Sequence, residues 1–398
     1  MVRIKILYLS YNGMMESLGD SQVLSYLYKL SKEYDYYLIS LEKPDDLKNS
    51  EAFNALKLKI EQHGIHWLPI TYKTSKSGKV LNFLNFTKSL FKVVRQEKIK
   101  YLHCRSYATA MPAYFVKKFL PIKYLFDTRS FAFDERADTG GLNKEKLPYR
   151  LAKKIEKKLY QKASGIVMLS KVGKETILNN ELFSGGDKIK NIEIIPTCVD
   201  LDRFKFCQRN YDKEVITIGY IGTATGWYDF EKTAATLAAI KKYNKIQFLV
   251  FNSNQYGQHE YIKQVLEKYH IEQSEYQIEK VTFAAMPDRL KEIDVALFYI
   301  HPYFSKKASA ATKLGELLAC GIPVLTNKGV GDHEYYINEY KVGKILEFNL
   351  IDTYDFAAIF DELINKETAI KCRSLSEKYF SLEEGVTKYK KIYTNIFK

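Results

Sequence analysis

The chain has no C-x-x-C pair. Its five cysteines (Cys104, Cys198, Cys207, Cys320, Cys372) are odd in number and scattered. That excludes a disulfide framework and leaves no zinc signature. No run of about 18 apolar residues occurs, so no transmembrane helix is expected. The first apolar stretch, Ile4 to Ser10, is too short for a secretory signal and reads as a β-strand. No low-complexity linker interrupts the sequence. These absences lead to the expectation of a cytoplasmic, globular protein.

What is present is length, charge and alternation. A chain of 398 residues, 46% hydrophobic, suits two domains with substantial cores. The net charge of +14 is unevenly placed. Residues 1–200 hold 34 Lys and Arg against 21 Asp and Glu, and residues 201–398 hold 27 against 26. A bias of composition alone would affect both halves, so the first half is the one expected to meet an acidic partner. Aromatic residues are abundant, with 31 Tyr and 23 Phe. They are spread along core-like segments, and no nucleic-acid recognition module is visible.

Strand and helix patterns alternate throughout. Strands are expected at 4–10, 36–41, 65–68, 100–104, 123–127, 165–169 and 192–195. The pattern restarts after a polar, irregular stretch at 196–211, with strands at 215–221, 246–251, 281–283, 295–299, 324–326 and 342–346. Such alternation implies parallel, doubly wound sheets. The reading is two Rossmann-like α/β domains, 1–205 and 206–383, with a last helix at 384–398 returning to the first. Ligands are expected in a cleft between the domains, at the carboxyl ends of the strands.

The most informative stretch runs from Ser305 through Val324: a lysine-bearing loop, a short helix and a Gly-Ile-Pro turn into a strand. A helix N-terminus carries partial positive charge, so Lys313 in its first turn is unfavourable by itself. An anion between lysine and helix end reverses the sign, and phosphate is the usual anion there. Glu316 lies on the same side, where a carboxylate suits sugar hydroxyls. The plainer alternative is a surface Lys–Glu pair worth a few tenths of a kcal/mol. The apolar positions Leu314, Leu317 and Leu318 favour a helix fixed against a sheet edge.

Several segments together resemble the family 4 glycosyltransferases, which are retaining enzymes of the GT-B fold. They are Ile6–Ser10 with Leu18–Val23, Ile195–Phe204, Gly219–Gly222, Thr312–Val324 and Asn327–Asp332. The resemblance covers essentially the whole chain. It implies a metal-independent hexosyl- or N-acetylhexosaminyl-transferase that needs no cofactor beyond its nucleotide-diphosphate sugar. Glu316 matches the carboxylate that holds the ribose, and Lys313 faces the diphosphate. Lys307, Ser309, Thr312, Gly222 and Thr223 are expected around the donor, and Gly19 in a loop that approaches it closely. Two positions depart from the family. Ala308 stands where a second glutamate is usual. Arg129 is nearest the place of a histidine beside the reacting carbon.

Lys313 and Arg129 are thus candidate stabilisers of the leaving diphosphate. Asp134 and Glu135, in the charged segment 127–141, are candidate carboxylates for the attacking hydroxyl, the alternative being a solvated loop. His103 and Arg105 are acceptor-side candidates, His103 also reading as a packing histidine. The helix at 147–163 carries Lys153, Lys154, Lys157, Lys158 and Lys162, and its stripe of Leu147, Leu151, Ile155 and Leu159 is expected to face the core. Its basic face, with Phe115, Lys117, Lys118 and Phe119, suits an anionic membrane surface. The expected acceptor is a glycan or lipid-linked glycan of cell-surface polysaccharide synthesis, and no nucleic acid is expected. The rival readings are a nucleotide-sugar epimerase and an inactive nucleotide-sugar-binding scaffold.

Overall fold

The computed structural model describes residues 3–75, 78–254 and 257–397. The chain divides into two units, Met1–Pro196 with Leu382–Lys398, and Thr197–Ser381. The first unit holds seven parallel strands. They are β1 (Lys5–Ser10), β2 (Asp35–Glu42), β3 (His66–Thr71), β4 (Tyr101–Arg105), β5 (Lys123–Asp127), β6 (Gly165–Met168) and β7 (Ile192–Ile194). Their order across the sheet is β3-β2-β1-β4-β5-β6-β7. The inner strands are mostly apolar along their length because helices cover both faces. Ile6, Leu7, Leu9, Leu102, Leu125 and Phe126 are fully buried. The order reverses between β1 and β4, and such switch points are where open α/β sheets receive ligands. Register aligns Ser10, Arg105 and Asp127 side by side at this end.

The closing helix Leu382–Ile396 lies in the first unit and buries Leu382, Val386, Tyr389, Ile392, Tyr393 and Ile396. Gly165 of β6 sits directly beneath Ile392 and Ile396.

The second unit has six parallel strands in the order β10-β9-β8-β11-β12-β13. These are β8 (Ile216–Ile221), β9 (Ile246–Phe251), β10 (Tyr276–Glu279), β11 (Val295–Leu297), β12 (Val324–Thr326) and β13 (Gly343–Ile345). Here the switch point falls between β8 and β11. The strand expected at 281–283 is instead Tyr276–Glu279. Among the described residues it is an edge strand paired to β9 alone, so its side chains are half-buried or exposed and lack an apolar run.

The stretch 196–211 was expected to link the domains, with the boundary after residue 205. Most of it belongs to the second unit. The Val199 amide donates to the Phe380 carbonyl (2.7 Å), Phe204 is buried in the second core, and the Arg209 guanidinium donates to the Cys320 carbonyl (3.0 Å). Polar composition marks a loop here but conceals that the loop is packed.

The basic helix Leu147–Lys162 departs most from its expected orientation. Its stripe does not face the core: Leu147, Leu151 and Ile155 are 66%, 48% and 41% exposed, and only Leu159 is buried. The packed face runs through Tyr149, Lys153, Glu156 and Tyr160. The Tyr107 hydroxyl donates to Glu156 (2.8 Å), and Lys153 pairs with both Glu156 and Asp134. Helix periodicity was right, but polar residues paired with one another took the inner side.

Candidate functional site

In the second unit the chain leaves β8 and turns at Gly222, where φ is +104°. Such a conformation suits glycine because it has no Cβ. A Cβ built there would also lie 3.3 Å from the Lys313 ammonium. The loop that follows is held by a polar network. The Asn252 amide donates to the Gly222 carbonyl (2.8 Å), and Gln258 accepts from the Ala224 amide (2.9 Å). The Thr223 carbonyl accepts from the Tyr220 hydroxyl at 2.5 Å.

Opposite this loop the chain makes a short turn, Phe304–Ala308, then runs extended into the helix Thr312–Ala319. The residue before that helix is Ala311, and no side chain caps its N-terminus. Lys313 in the first turn is only 7% exposed, and its Nζ has no hydrogen-bond partner among the described residues. It lies 3.7 Å from the centre of the Tyr228 ring, 5.0 Å from Phe298 and 5.1 Å from Tyr220. The rings give cation–π attraction, but they do not neutralise the charge. Burial pushes the lysine's pKa down to about 7, against the pull of Glu316. Glu316 itself is half-buried, and burial raises its carboxyl to about 7 against Arg203 and Lys313.

The structure therefore brings Lys313, Glu316, Gly222 and the helix end at Thr312 together. Thr312 and Ser309 are half-buried beside them. Lys307 is placed over Phe304 (5.2 Å), and the buried lysine of that turn is its neighbour Lys306, 3.4 Å from the Trp227 ring centre. Sequence reasoning missed Tyr228 and His333. His333 is buried, and neither ring nitrogen has a hydrogen-bond partner among the described residues; burial first, then Lys313, lowers its pKa to about 4. The Trp227-Tyr228 pair just beyond Gly222 was the available signal.

In the first unit Asp127 is the hub. It accepts from the Tyr389 hydroxyl (2.9 Å), faces His103 Nε2 (3.4 Å) and pairs with Arg129 (3.5 Å). Burial works to raise its pKa, but Arg129, His103 and Arg105 outweigh it and hold the carboxyl at about 2. His103 is 1% exposed, packed against Tyr8 and bonded to the Tyr393 hydroxyl at 2.5 Å. Burial lowers its pKa, so it stays neutral and packs as a core residue.

One expectation needs correction. Asp134 lies in a helix, Ala132–Asp138, and not in a solvated loop. Its oxygens are taken by the Tyr149 hydroxyl and Lys153, each at 2.7 Å, so it ties two helices together and is not placed to serve as a base. Glu135 accepts from the Ser130 hydroxyl (2.8 Å). Gly19 is buried against its own chain: a Cβ there would lie 2.2 Å from the Gly13 carbonyl. Its missing side chain makes room for residues 13 and 14, which accounts for the glycine without a ligand.

No protein-family model matches the chain, and no curated protein matches it. Solved structures do. A glycosyltransferase from Rickettsia africae ESF-5 superposes with a TM-score of 0.70 at 16% identity, over 100% of this chain and 99% of that one. HepE of Anabaena, in complex with UDP and glucose, gives 0.69 at 11% identity, over 98% and 100%. The lipopolysaccharide outer core galactosyltransferase WaaB gives 0.64 at 13% identity, over 98% and 99%.

The fold is GT-B. Both Rossmann-like domains of a GT-B chain are accounted for by the seven- and six-stranded sheets. The Lys313 and Glu316 cluster lies at the switch point of the second domain, and the Asp127 hub at that of the first.

Proposed function

We propose that this GT-B chain is a retaining glycosyltransferase of the family 4 type. It moves a hexosyl or N-acetylhexosaminyl group from a nucleotide-diphosphate donor to a hydroxyl of a glycan or lipid-linked glycan. The observation that carries this reading is Lys313: a buried ammonium with no hydrogen-bond partner among the described residues, beside an uncapped helix end. A buried charge is costly unless something pairs with it. A diphosphate supplies that pair, and Glu316 one helical turn on is left to accept from ribose hydroxyls. The complex of HepE with UDP supports the same ligand class.

As the anomeric C–O bond breaks, charge gathers on the diphosphate oxygens. Lys313 and the amides at Thr312 stabilise it without a metal, and a preorganised donor of this kind is worth about 3–4 kcal/mol. The test is transfer itself. With a panel of nucleotide sugars, nucleoside diphosphate should be released only when an acceptor extract is added. Release independent of acceptor, or no release with any donor, would sink the proposal, the second outcome favouring a binding scaffold.

The reading includes a place of work at the inner face of the cell membrane. Among the described residues no helix is long and apolar enough to cross a membrane. Leu147, Leu151 and Ile155 nevertheless form an exposed apolar row among lysines, and Phe115 and Phe119 are 47% and 64% exposed. Lys117 donates to the Lys162 carbonyl (3.2 Å), which joins the two patches. Apolar side chains flanked by cations suit an anionic lipid surface, at roughly 1 kcal/mol per lysine. The protein should sediment with vesicles containing phosphatidylglycerol at low salt. Replacing Leu147, Leu151 and Ile155 by serine should lower the bound fraction at least tenfold. Equal sedimentation of the two proteins would exclude this face.

A further inference from the structure

Arg105 ends β4, at the switch point of the first unit. It is 8% exposed, and among the described residues its Nε has no hydrogen-bond partner and its guanidinium makes no ion pair. Asp127 is its register neighbour on β5, but that carboxylate is already shared by Arg129, His103 and Tyr389. Arg129, whose own side chain is 12% exposed, adds a second guanidinium that repels the first. His103 is neutral, so two arginines face one carboxylate and a single positive charge is left over.

The surrounding backbone points the same way. The next residue, Ser106, has φ +76° and precedes the ten-residue helix Tyr107–Val116 without capping it. Arg129 itself has φ +63°. Non-glycine residues held in this region cost about 1–3 kcal/mol and gather at ligand sites. An uncapped helix end beside a buried, unpaired guanidinium is a place for an oxyanion.

We propose that the ends of β4 and β5 bind an oxyanion carried by the acceptor, a carboxylate or a phosphate, through Arg105 and Arg129. The acceptor is then an acidic saccharide or a phosphorylated one. This assignment of substrate class rests on the glycosyltransferase reading, but the site can be tested without it. Arginine suits the task because its planar fork meets two oxygens at once.

The experiment is calorimetric titration of the full chain, without nucleotide, using D-glucuronate, D-glucose 6-phosphate and neutral D-glucose as probes. At least one of the two acids should bind ten times more tightly than glucose, and which one does so identifies the oxyanion. Arg105→Met should weaken that binding at least tenfold. Lys313→Met should leave it unchanged, because its ammonium lies in the other unit. If Arg105→Met does not fold, Arg105→Lys, which keeps the charge but loses the fork, should weaken binding about tenfold. Acids that bind no better than glucose overturn the proposal, as does a folded Arg105 variant that binds like the parent. Loss of acid binding in Lys313→Met also overturns it, by placing the oxyanion at the diphosphate site. Nucleoside diphosphate binding, measured separately, decides the glycosyltransferase reading alone.

Discussion

Removal of residues 382–398 should unfold the first unit and leave the second folded. The helix Leu382–Ile396 buries six large side chains: Leu382, Val386, Tyr389, Ile392, Tyr393 and Ile396. At roughly 1.5–3 kcal/mol each, that burial is comparable to or greater than the 5–15 kcal/mol that stabilises a typical domain. The loss is also polar. Tyr389 donates to Asp127, and the Tyr393 hydroxyl bonds His103 and Tyr36, so truncation leaves buried groups unpartnered. Limited proteolysis should degrade the first 196 residues of the truncated chain and spare a fragment close to Thr197–Ser381. A truncated chain in which both units resist protease would show that the last helix is an accessory and not part of the core.

The second large effect is expected from Lys313→Met. Methionine keeps the length and apolar stem among Tyr228, Phe298 and Tyr220 but removes the charge. Transfer should fall by about 10²–10³, the loss seen when one preorganised charge-stabilising donor is deleted. Stability should move the opposite way. A lysine whose pKa is lowered on folding from 10.5 to about 7 costs stability most fully below pH 7, and that cost fades as pH rises from 7 to 10.5. The melting temperature of the variant should therefore exceed the parent's at pH 6 and converge on it at high pH.

Binding should carry the same signature. Lys313 holds its proton below about pH 7, and Glu316 loses its own above about 7. Nucleoside diphosphate affinity should thus peak near neutrality. Lys313→Met should remove the alkaline fall and Glu316→Gln the acid one. His333 stays neutral through this range and contributes neither limb. A flat profile in the parent protein, measured by calorimetry from pH 5.5 to 9, would refute the assignment of these two groups to the ligand.

Much of the fold was legible because buried parallel strands are mostly apolar. Leu7, Leu102, Leu125, Phe248 and Leu325 are fully buried in them. The edge strand Tyr276–Glu279 was not, because one partner leaves its residues half-buried and mixed in polarity. That Lys313 and Glu316 lie together in a buried setting was signalled by a lysine in a first helical turn, which contradicts local electrostatics. Asp134 misled for the converse reason. A carboxylate among charges looks solvated in sequence, whereas here Tyr149 and Lys153 enclose it. The stripe of Leu147, Leu151 and Ile155 misled because periodicity shows that a helix has an apolar side but not which way that side turns.

The return of the last helix also sets an order of events during synthesis. When Pro196 leaves the ribosome, the sheet of the first unit is complete but one of its covering helices has not been made. All of Thr197–Ser381 must be translated first, roughly ten to forty seconds at about 5–20 residues per second. Through that interval the apolar bed around Gly165 has no native lid, while the second unit can finish folding alone. The half of the chain made first is therefore the half completed last, and the one that would lean on a chaperone.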